Sequence, residues 1–367
     1  MIDLAANGYT AEEVQRALHA GMGMRRVWYR YERLNRYKVP IGTLDAEEGS
    51  IEMDANAQIM RTGRFVFRND SSVNWQAELL RPWFCLAMPD GGTAEYPLGV
   101  FYMPTANTTA GRNSYREIEA YDTTTILWED QITTRYQIAK GTKYTSALSS
   151  LFASVGVFDS VIAPSDSVTA TTLEWEAGTA KGEIVKQLLI ADNYEPLTAD
   201  AWGRWVCRKY KDPRARFAEY SYKDDSLSVM LPTQTVTEDI FKLPNVFVGI
   251  VSRPDRPAMS FTFEITDPKS PLAAVNRSGR RVTEIKLYDD AASASALEAE
   301  VRRRASKASS FYSSLRFSTA PMPHHATGDV LWIETGGISG KYQETKWTLN
   351  MSADGEMIHE TQKEVRL

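Results

Sequence analysis

Hydrophobic positions along the chain change their spacing several times, and each change predicts a change of element. Thr10-Ala11-Glu12-Glu13 has the reciprocal pattern of a capping box: Thr10 accepts from the amide three residues on, and Glu13 reaches back to the Thr10 amide. Val14, Ala17 and Leu18 follow at helical spacing, so a short helix is predicted in an N-terminal segment 1–23, ending near Gly21. Period two then takes over. Val27, Tyr29 and Tyr31 alternate with Trp28, Arg30 and Glu32, which puts the first three on one face of a strand. Ile51 and Met53 repeat the alternation. Phe65-Val66-Phe67 and Phe84-Cys85-Leu86 are short apolar cores, Pro89-Asp90-Gly91-Gly92 is a turn, and a strand resumes through Leu98-Gly99-Val100-Phe101-Tyr102. Residues 24–135 are therefore expected to form a small antiparallel sheet or barrel.

Helical spacing returns next. Leu148, Leu151, Phe152 and Val155 share a face, and Gly156 is placed to end that helix. Ile184, Val185, Leu188 and Leu189 mark a second helix with Thr179 as its candidate cap. The Ser/Thr-rich stretch from Val161 to Trp175 lies between them, so residues 136–203 are expected as a mixed α/β insertion. Strand signals resume at Trp205-Val206-Cys207 and open a last region, 204–367, expected as a second β-barrel. Apolar residues on both faces of 246–251 (Val246, Val248 and Ile250 against Phe247 and Val251) predict a strand buried on both sides. Phe261, Phe263 and Ile265 alternate with Thr262 and Glu264. A helix over 290–310 carries a narrow stripe of mainly small residues, Ala294, Leu297, Val301, Ala305 and Ala308, with Asp290 as its cap. Glu298 with Arg302 and Glu300 with Arg304 are favourable pairs one turn apart, and Arg302, Arg303, Arg304 and Lys307 fall where the helix dipole favours cations. Val330 to Ile333, then Trp347, Leu349 and Met351, close the chain with strands. The expected class is β-rich α+β: two small β-barrel-like domains joined by a mixed insertion. No repeat of fixed period is present.

Composition narrows the function classes. Over 367 residues, 43% are hydrophobic and 24% charged, ordinary for a folded globular protein and unlike a disordered one. A chain of this length has room for two or three domains. The formal net charge of −5 disfavours a dedicated grip on nucleic acid phosphates, which takes a basic surplus. No apolar run reaches the roughly 18 residues of a transmembrane helix. The first twenty residues carry Asp3, Glu12 and Glu13 and lack a basic start with an apolar core, so no secretory signal is expected there. Nine Trp and 17 Tyr tilt the picture toward strands and protein interfaces.

Candidate chemistry is sparse. Cys85 and Cys207 fit no CxxC spacing and are expected to be buried free thiols. The four histidines, His19, His324, His325 and His359, form no HExxH or HxH pattern, and His324-His325 after Pro321-Met322-Pro323 is expected in a surface loop. No GxSxG, Walker A or GxGxxG phrase occurs. Thr335-Gly336-Gly337-Ile338 lies between two strand patterns and predicts a hairpin. Asp224, Asp225, Asp289 and Asp290 are expected as loop and cap residues, though two placed carboxylates are all a glycosidase requires. No catalytic, cofactor-binding or metal-binding residue is assigned, no cofactor is expected, and no interface residue can be picked out.

With those residues laid out, the chain resembles the baseplate hub, or tail-associated, proteins of long-tailed bacteriophages, from about residue 24 to the end. The likeness rests on short phrases in a fixed order: Arg81-Pro82-Trp83-Phe84, Tyr96-Pro97-Leu98-Gly99-Val100-Phe101 and Glu119-Ala120-Tyr121-Asp122, then Asn193-Tyr194, Asp200-Ala201-Trp202-Gly203 and Tyr210-Lys211-Asp212-Pro213-Arg214. Leu243-Pro244-Asn245-Val246, Asp267-Pro268-Lys269-Ser270-Pro271, Gly279-Arg280-Arg281, Gly328-Asp329-Val330 and Gly355-Glu356-Met357 follow. The resemblance implies two related barrels and a homotrimeric ring at the tail tip of the virion, assembled from chains made in the host cytoplasm. It implies docking on a hexameric distal tail protein, closure of the tail tube, and contact with the tape-measure protein and with tip fibre or spike chains. Many relatives continue into a peptidoglycan hydrolase or fibre. This chain stops at Leu367, which leads one to expect such activities on separate chains.

The expected function is thus a structural, non-enzymatic hub without stable membrane insertion or sequence-specific nucleic acid binding. The alternatives are a host-surface glycan-binding module, which would show saturable binding to host cells, and a cell-wall hydrolase, which would release sugar or peptide from peptidoglycan.

Overall fold

The computed structural model describes residues 2–21, 23, 25–109, 114–169, 171–238, 241, 243–253, 256–288, 294–309, 313–352 and 354–363. Two units emerge: one of residues 1–215, 319–327 and 346–357, the other of 216–318, 328–345 and 358–367. The division does not follow chain order, because two late segments return to the first unit.

The first unit opens with α1, Ala11–Leu18. Thr10 caps it with the predicted reciprocal bonds: Glu13 N donates to Thr10 Oγ1 at 3.3 Å and Thr10 N donates to Glu13 Oε2 at 2.9 Å. Val14, Ala17 and Leu18 are its buried face. Eight strands follow: β1 Val27–Leu34, β2 Pro40–Leu44, β3 Ala46–Asp54, β4 Arg61–Arg68, β5 Leu79–Ala87, β6 Thr93–Pro97, β7 Phe101–Thr108 and β8 Tyr115–Asp122. They pair antiparallel in the order β3-β4-β8-β7-β5-β1-β2, with β6 beside β5. Late in the chain, Lys346–Asn350 pairs with β3, Trp347 opposite Met53 and Leu349 opposite Ile51. Alternation puts Tyr31, Phe65, Phe67 and Phe101 on one side, where their rings meet mostly edge to face at 5.6–5.9 Å.

The insertion supplies β9 Tyr136–Ile138, α3 Tyr144–Ser154, β10 Ser160–Ile162, β11 Leu173–Trp175, α4 Lys181–Ala191, β12 Thr198–Ala199 and β13 Trp205–Cys207, preceded by the short α2, Ile126–Glu129. Leu148, Leu151 and Phe152 pack with Ile184, Val185, Leu188 and Leu189 around Trp205. Both predicted helices are present, but Thr179 does not cap α4: its hydroxyl donates to Glu176 O at 2.8 Å, and the Lys181 amide finds Asp130 O instead at 2.9 Å.

The second unit contains a two-layer arrangement of one small sheet and one helix. Strands β14 Tyr220–Lys223 and β15 Met230–Glu238 precede β16 Val246–Arg253, β17 Arg256–Glu264 and β18 Thr283–Tyr288. The sheet order is β17-β16-β18, with β18 parallel to β16, and α5, Ala294–Ser309, covers one face. Phe247 and Val251 point into that helix. The opposite face is buried at Val246 but only half buried at Val248 and Ile250, and it is exposed at Ile285 and Leu287 of β18, so the strand is buried on both sides only at its start and not throughout as its composition predicts. The stripe on α5 runs as expected through Leu297, Val301 and Ala305, and it approaches closely because Gly249 leaves room: a Cβ there would overlap Val301 Cγ2. Arg302 pairs with Glu298 as predicted, at 2.9 Å. Arg304 meets Glu284 of β18 rather than Glu300, which meets Arg303, because Arg304 lies on the flank of α5 nearest that strand. Asp289 and Asp290, the latter the expected cap, lie outside the described residues.

Strands β19 Ser313–Thr319, β20 Val330–Thr335, β21 Ile338–Asn350 and β22 Met357–Lys363 complete the chain. Gly336-Gly337 makes the predicted two-residue hairpin between β20 and β21, both with positive φ (53° and 87°), as a type I′ turn requires. The architecture is the expected β-rich α+β one. The sheets are open, and among the described residues none closes into a barrel, because no hydrogen-bonded pair joins the two end strands of any sheet. No described helix is long and apolar enough to cross a membrane.

Candidate functional site

Four of the phrases that carry the resemblance meet at one place in the first unit, where the insertion seats on the sheet. Asp122 ends β8 inside the protein. Its carboxylate accepts from Thr124 N at 2.8 Å, capping a single 3₁₀ turn, and from the Arg61 amide at 3.2 Å. The Arg61 guanidinium, buried under Gly99, donates to Leu98 O at 3.2 Å and reaches Asp200 O at 3.4 Å. Burial pushes the Asp122 carboxyl up from its ordinary value and the Arg61 guanidinium down from its own, each toward its neutral form. Asp200-Ala201-Trp202-Gly203 is a tight loop: Asp200 Oδ1 accepts from Trp202 N and Arg204 N, both at 2.9 Å. Gly203 takes φ +78°, and a Cβ there would sit 2.7 Å from Val100 Cβ, so only glycine lets this loop touch the sheet. Gly203 O accepts from Lys38 Nζ at 2.7 Å, and Lys38 also binds Asp159 at 2.7 Å.

Beside it stands an aromatic and charged cluster. Arg81 binds Glu32 through Nε at 2.8 Å and Nη2 at 2.6 Å, and Trp83 Nε1 donates to the same oxygen at 3.0 Å. The Trp83 ring meets Trp202 edge to face at 5.4 Å, with the Arg81 guanidinium 5.2–5.3 Å from both rings and Arg30 4.8 Å from Trp83. Trp202 remains 47% exposed. Every carboxylate here already accepts from a cation or an amide, so the arrangement fastens two substructures and presents an indole. Sequence reasoning had the phrases but not their meeting, and it passed over Arg61 and Lys38, which no pattern marks.

The other candidates resolve as follows. Cys85 and Cys207 are buried free thiols, as expected, and burial pushes each up to about 12, so neither is a nucleophile near neutral pH. His324 and His325 do not lie in a surface loop. Both are buried, with rings 4.4 Å apart, and Ile2 N donates to His324 O at 2.8 Å. The flanking Pro321 and Pro323 carry no amide proton, which lowers the cost of burying a loop. In the second unit, His359 contacts Glu344 through Nδ1 with both side chains fully buried, and its ring stacks on Phe317 at 4.7 Å. Alternation could have found this pair, since Tyr342 and Glu344, like Met357, His359 and Thr361, fall on inward positions. Asp224 and Asp225 are loop residues, the latter accepting from Leu227 N at 2.9 Å.

No family model matches the chain, and no curated protein matches it. Solved structures do. A tail protein from Neisseria meningitidis MC58 aligns over 92% of this chain and 97% of its own, with a TM-score of 0.68 at 10% identity. The 43 kDa tail protein of prophage MuSo2 from Shewanella oneidensis aligns over 91% and 98%, with a TM-score of 0.66 at 9% identity. Prophage tail protein gp18 from Listeria monocytogenes EGD-e aligns over 91% and 95%, with a TM-score of 0.54 at 12% identity. At such identities the likeness concerns the fold, and over nearly its whole length this chain has the fold of phage and prophage tail proteins.

Proposed function

We infer that this chain is a structural component of a bacteriophage tail, the hub at the tail tip. The observation that carries this reading is the match of fold with tail proteins over 92% of this chain and 97% of the Neisseria protein. Three copies form a ring that closes the tail tube, docks on the hexameric distal tail protein, and anchors the tape-measure protein and the fibre or spike chains. The protein's surface supports a life in an assembly. Phe217 is 92% exposed, Phe158 81% and Leu287 73%, large apolar groups that partner surfaces would cover. A closed ring satisfies every such contact, whereas an open arrangement would propagate. The role is not enzymatic, in keeping with a candidate site whose carboxylates are committed to structural bonds. Reconstruction of the particle tip without imposed symmetry tests the reading. Three copies on the tail axis are expected; one copy, six copies, or density confined to the outer periphery would refute it.

A further inference from the structure

The loop between β4 and β5 shapes a shallow cavity of about 410 Å³, lined by Ser71, Ser72, Val73, Asn74, Trp75, Gln76 and, from β8, Arg116. Arg116 is an unusual residue for its place. It stands opposite Phe67 in the β4–β8 ladder and shares the inward side of β8 with Ile118, Ala120 and Asp122, all buried. Its guanidinium lies 5.2 Å from the Trp75 ring, and that indole in turn packs on Phe67. Yet among the described residues Arg116 has no ion-pair partner, and its Nε is closed off from solvent without a hydrogen-bond partner. The acids of the same loop are engaged elsewhere: Glu78 binds Arg33 at 2.7 and 2.9 Å, and the Asp70 carboxylate accepts from Ser72 N at 2.8 Å. In a chain with an acidic surplus, a partly buried guanidinium on the inward side of a strand, with no carboxylate paired to it among the described residues, is an uncommon arrangement.

We propose that this cavity binds an acidic sugar unit, a hydroxylated ring bearing one carboxylate or phosphate. With Nε closed off, the two Nη groups of the guanidinium are left as the paired donors for an oxyanion, a geometry that a lysine would not supply. Ser71, Asn74 and Gln76, which line the cavity, carry a hydroxyl and two side-chain amides of the kind suited to sugar hydroxyls. Trp75 Nε1 is turned inward to Asp70 O at 3.3 Å, which holds the indole as the floor under the guanidinium. The reading is independent of the hub assignment and goes beyond it, since a tail tip can be a hub with or without such a site.

The test uses the full chain with ¹⁵N-labelled tryptophan, following the Trp75 indole N–H, assigned by Trp75→Phe. The probes are glucuronate, glucose-6-phosphate, glucose and inorganic phosphate at matched ionic strength. At least one acidic sugar should saturate the shift with an affinity on the order of 1 mM, and at least about tenfold more tightly than glucose or inorganic phosphate. Whichever acidic sugar binds more tightly identifies carboxylate or phosphate as the source of charge. Arg116→Met, which keeps the apolar stem over Trp75, should weaken that binding by about tenfold or more. Gln76→Ala, at an exposed position, should weaken it severalfold without touching the core, and so serves if Arg116→Met does not fold. The proposal is overturned if neither acidic sugar saturates the signal, if inorganic phosphate binds as tightly as both, or if Gln76→Ala and Arg116→Met leave the affinity unchanged.

Discussion

Single side chains in this protein are placed by pairing, and pairing makes their loss measurable. Val301 is buried against β16, where Gly249 admits it. Val301→Asp puts a carboxylate there without a partner and should cost about 3–5 kcal/mol, seen as a lower urea midpoint at unchanged slope. Gly249→Ala drives a methyl into Val301 and should cost about 1–3 kcal/mol. Wild-type stability in both would mean α5 does not cover the sheet as described. Glu78 gives a pH signature. Its bond to Arg33 holds the carboxyl below its ordinary value of 4.5. The folded value lies below the unfolded one, so the pair's contribution is complete above the unfolded value. It is lost as pH falls through the folded one. Stability should therefore decline on acidification below about pH 4.5, and Glu78→Gln should flatten that decline while lowering stability near neutrality.

At the scale of elements, local signals and long-range seats divide the work. The capping box at Thr10 is self-contained, and Thr10→Ala should cost about 1 kcal/mol, with faster amide exchange confined to the first turn of α1. The loop Asp200–Gly203 is the opposite case. Its turn is local, through Asp200 Oδ1, but its purpose is contact with Val100 and Arg61. Gly203→Ala combines a strained φ with overlap on Val100, so about 2–4 kcal/mol is expected. The damage should show as loosening of the insertion, read by amide exchange across α3 and α4, while α1 keeps its protection.

For the whole molecule, the fold shared with tail proteins and the structural bonds of the carboxylates where the insertion seats on the sheet lead to the same expectation: purified protein should leave host cell walls intact in zymography. A clearing band abolished by substitution of one carboxylate would overturn the non-enzymatic reading. The exposed aliphatic face of β16 and β18 bears on assembly. Leu287→Asp costs no core contact, so the isolated chain should keep its stability within about 0.5 kcal/mol. If that face is covered in the particle, the same variant should fail to incorporate into tails.

Much of the architecture was legible in the residues, because it depends on short-range rules. Spacing located α1, α3, α4 and α5, alternation located most strands, and Gly336-Gly337 located a hairpin, since periodicity and turn chemistry act within a few residues. Four of the phrases behind the resemblance sit at the seat of the insertion, where a tight turn and close contacts demand particular side chains. What sequence could not determine was which distant positions meet. Barrel-like regions were expected because strand patterns do not encode whether the last strand finds the first. The double apolar character of 246–251 could not show that α5 covers only one face. His324 and His325 looked like loop surface because the segments packed over them are remote in sequence. The Arg61, Asp122 and Asp200 junction and the stacking of Arg116 on Trp75 exist only once the chain has closed, because each joins a strand to a loop or strand far away in sequence; the Glu344–His359 contact joins consecutive strands and lay within reach of alternation.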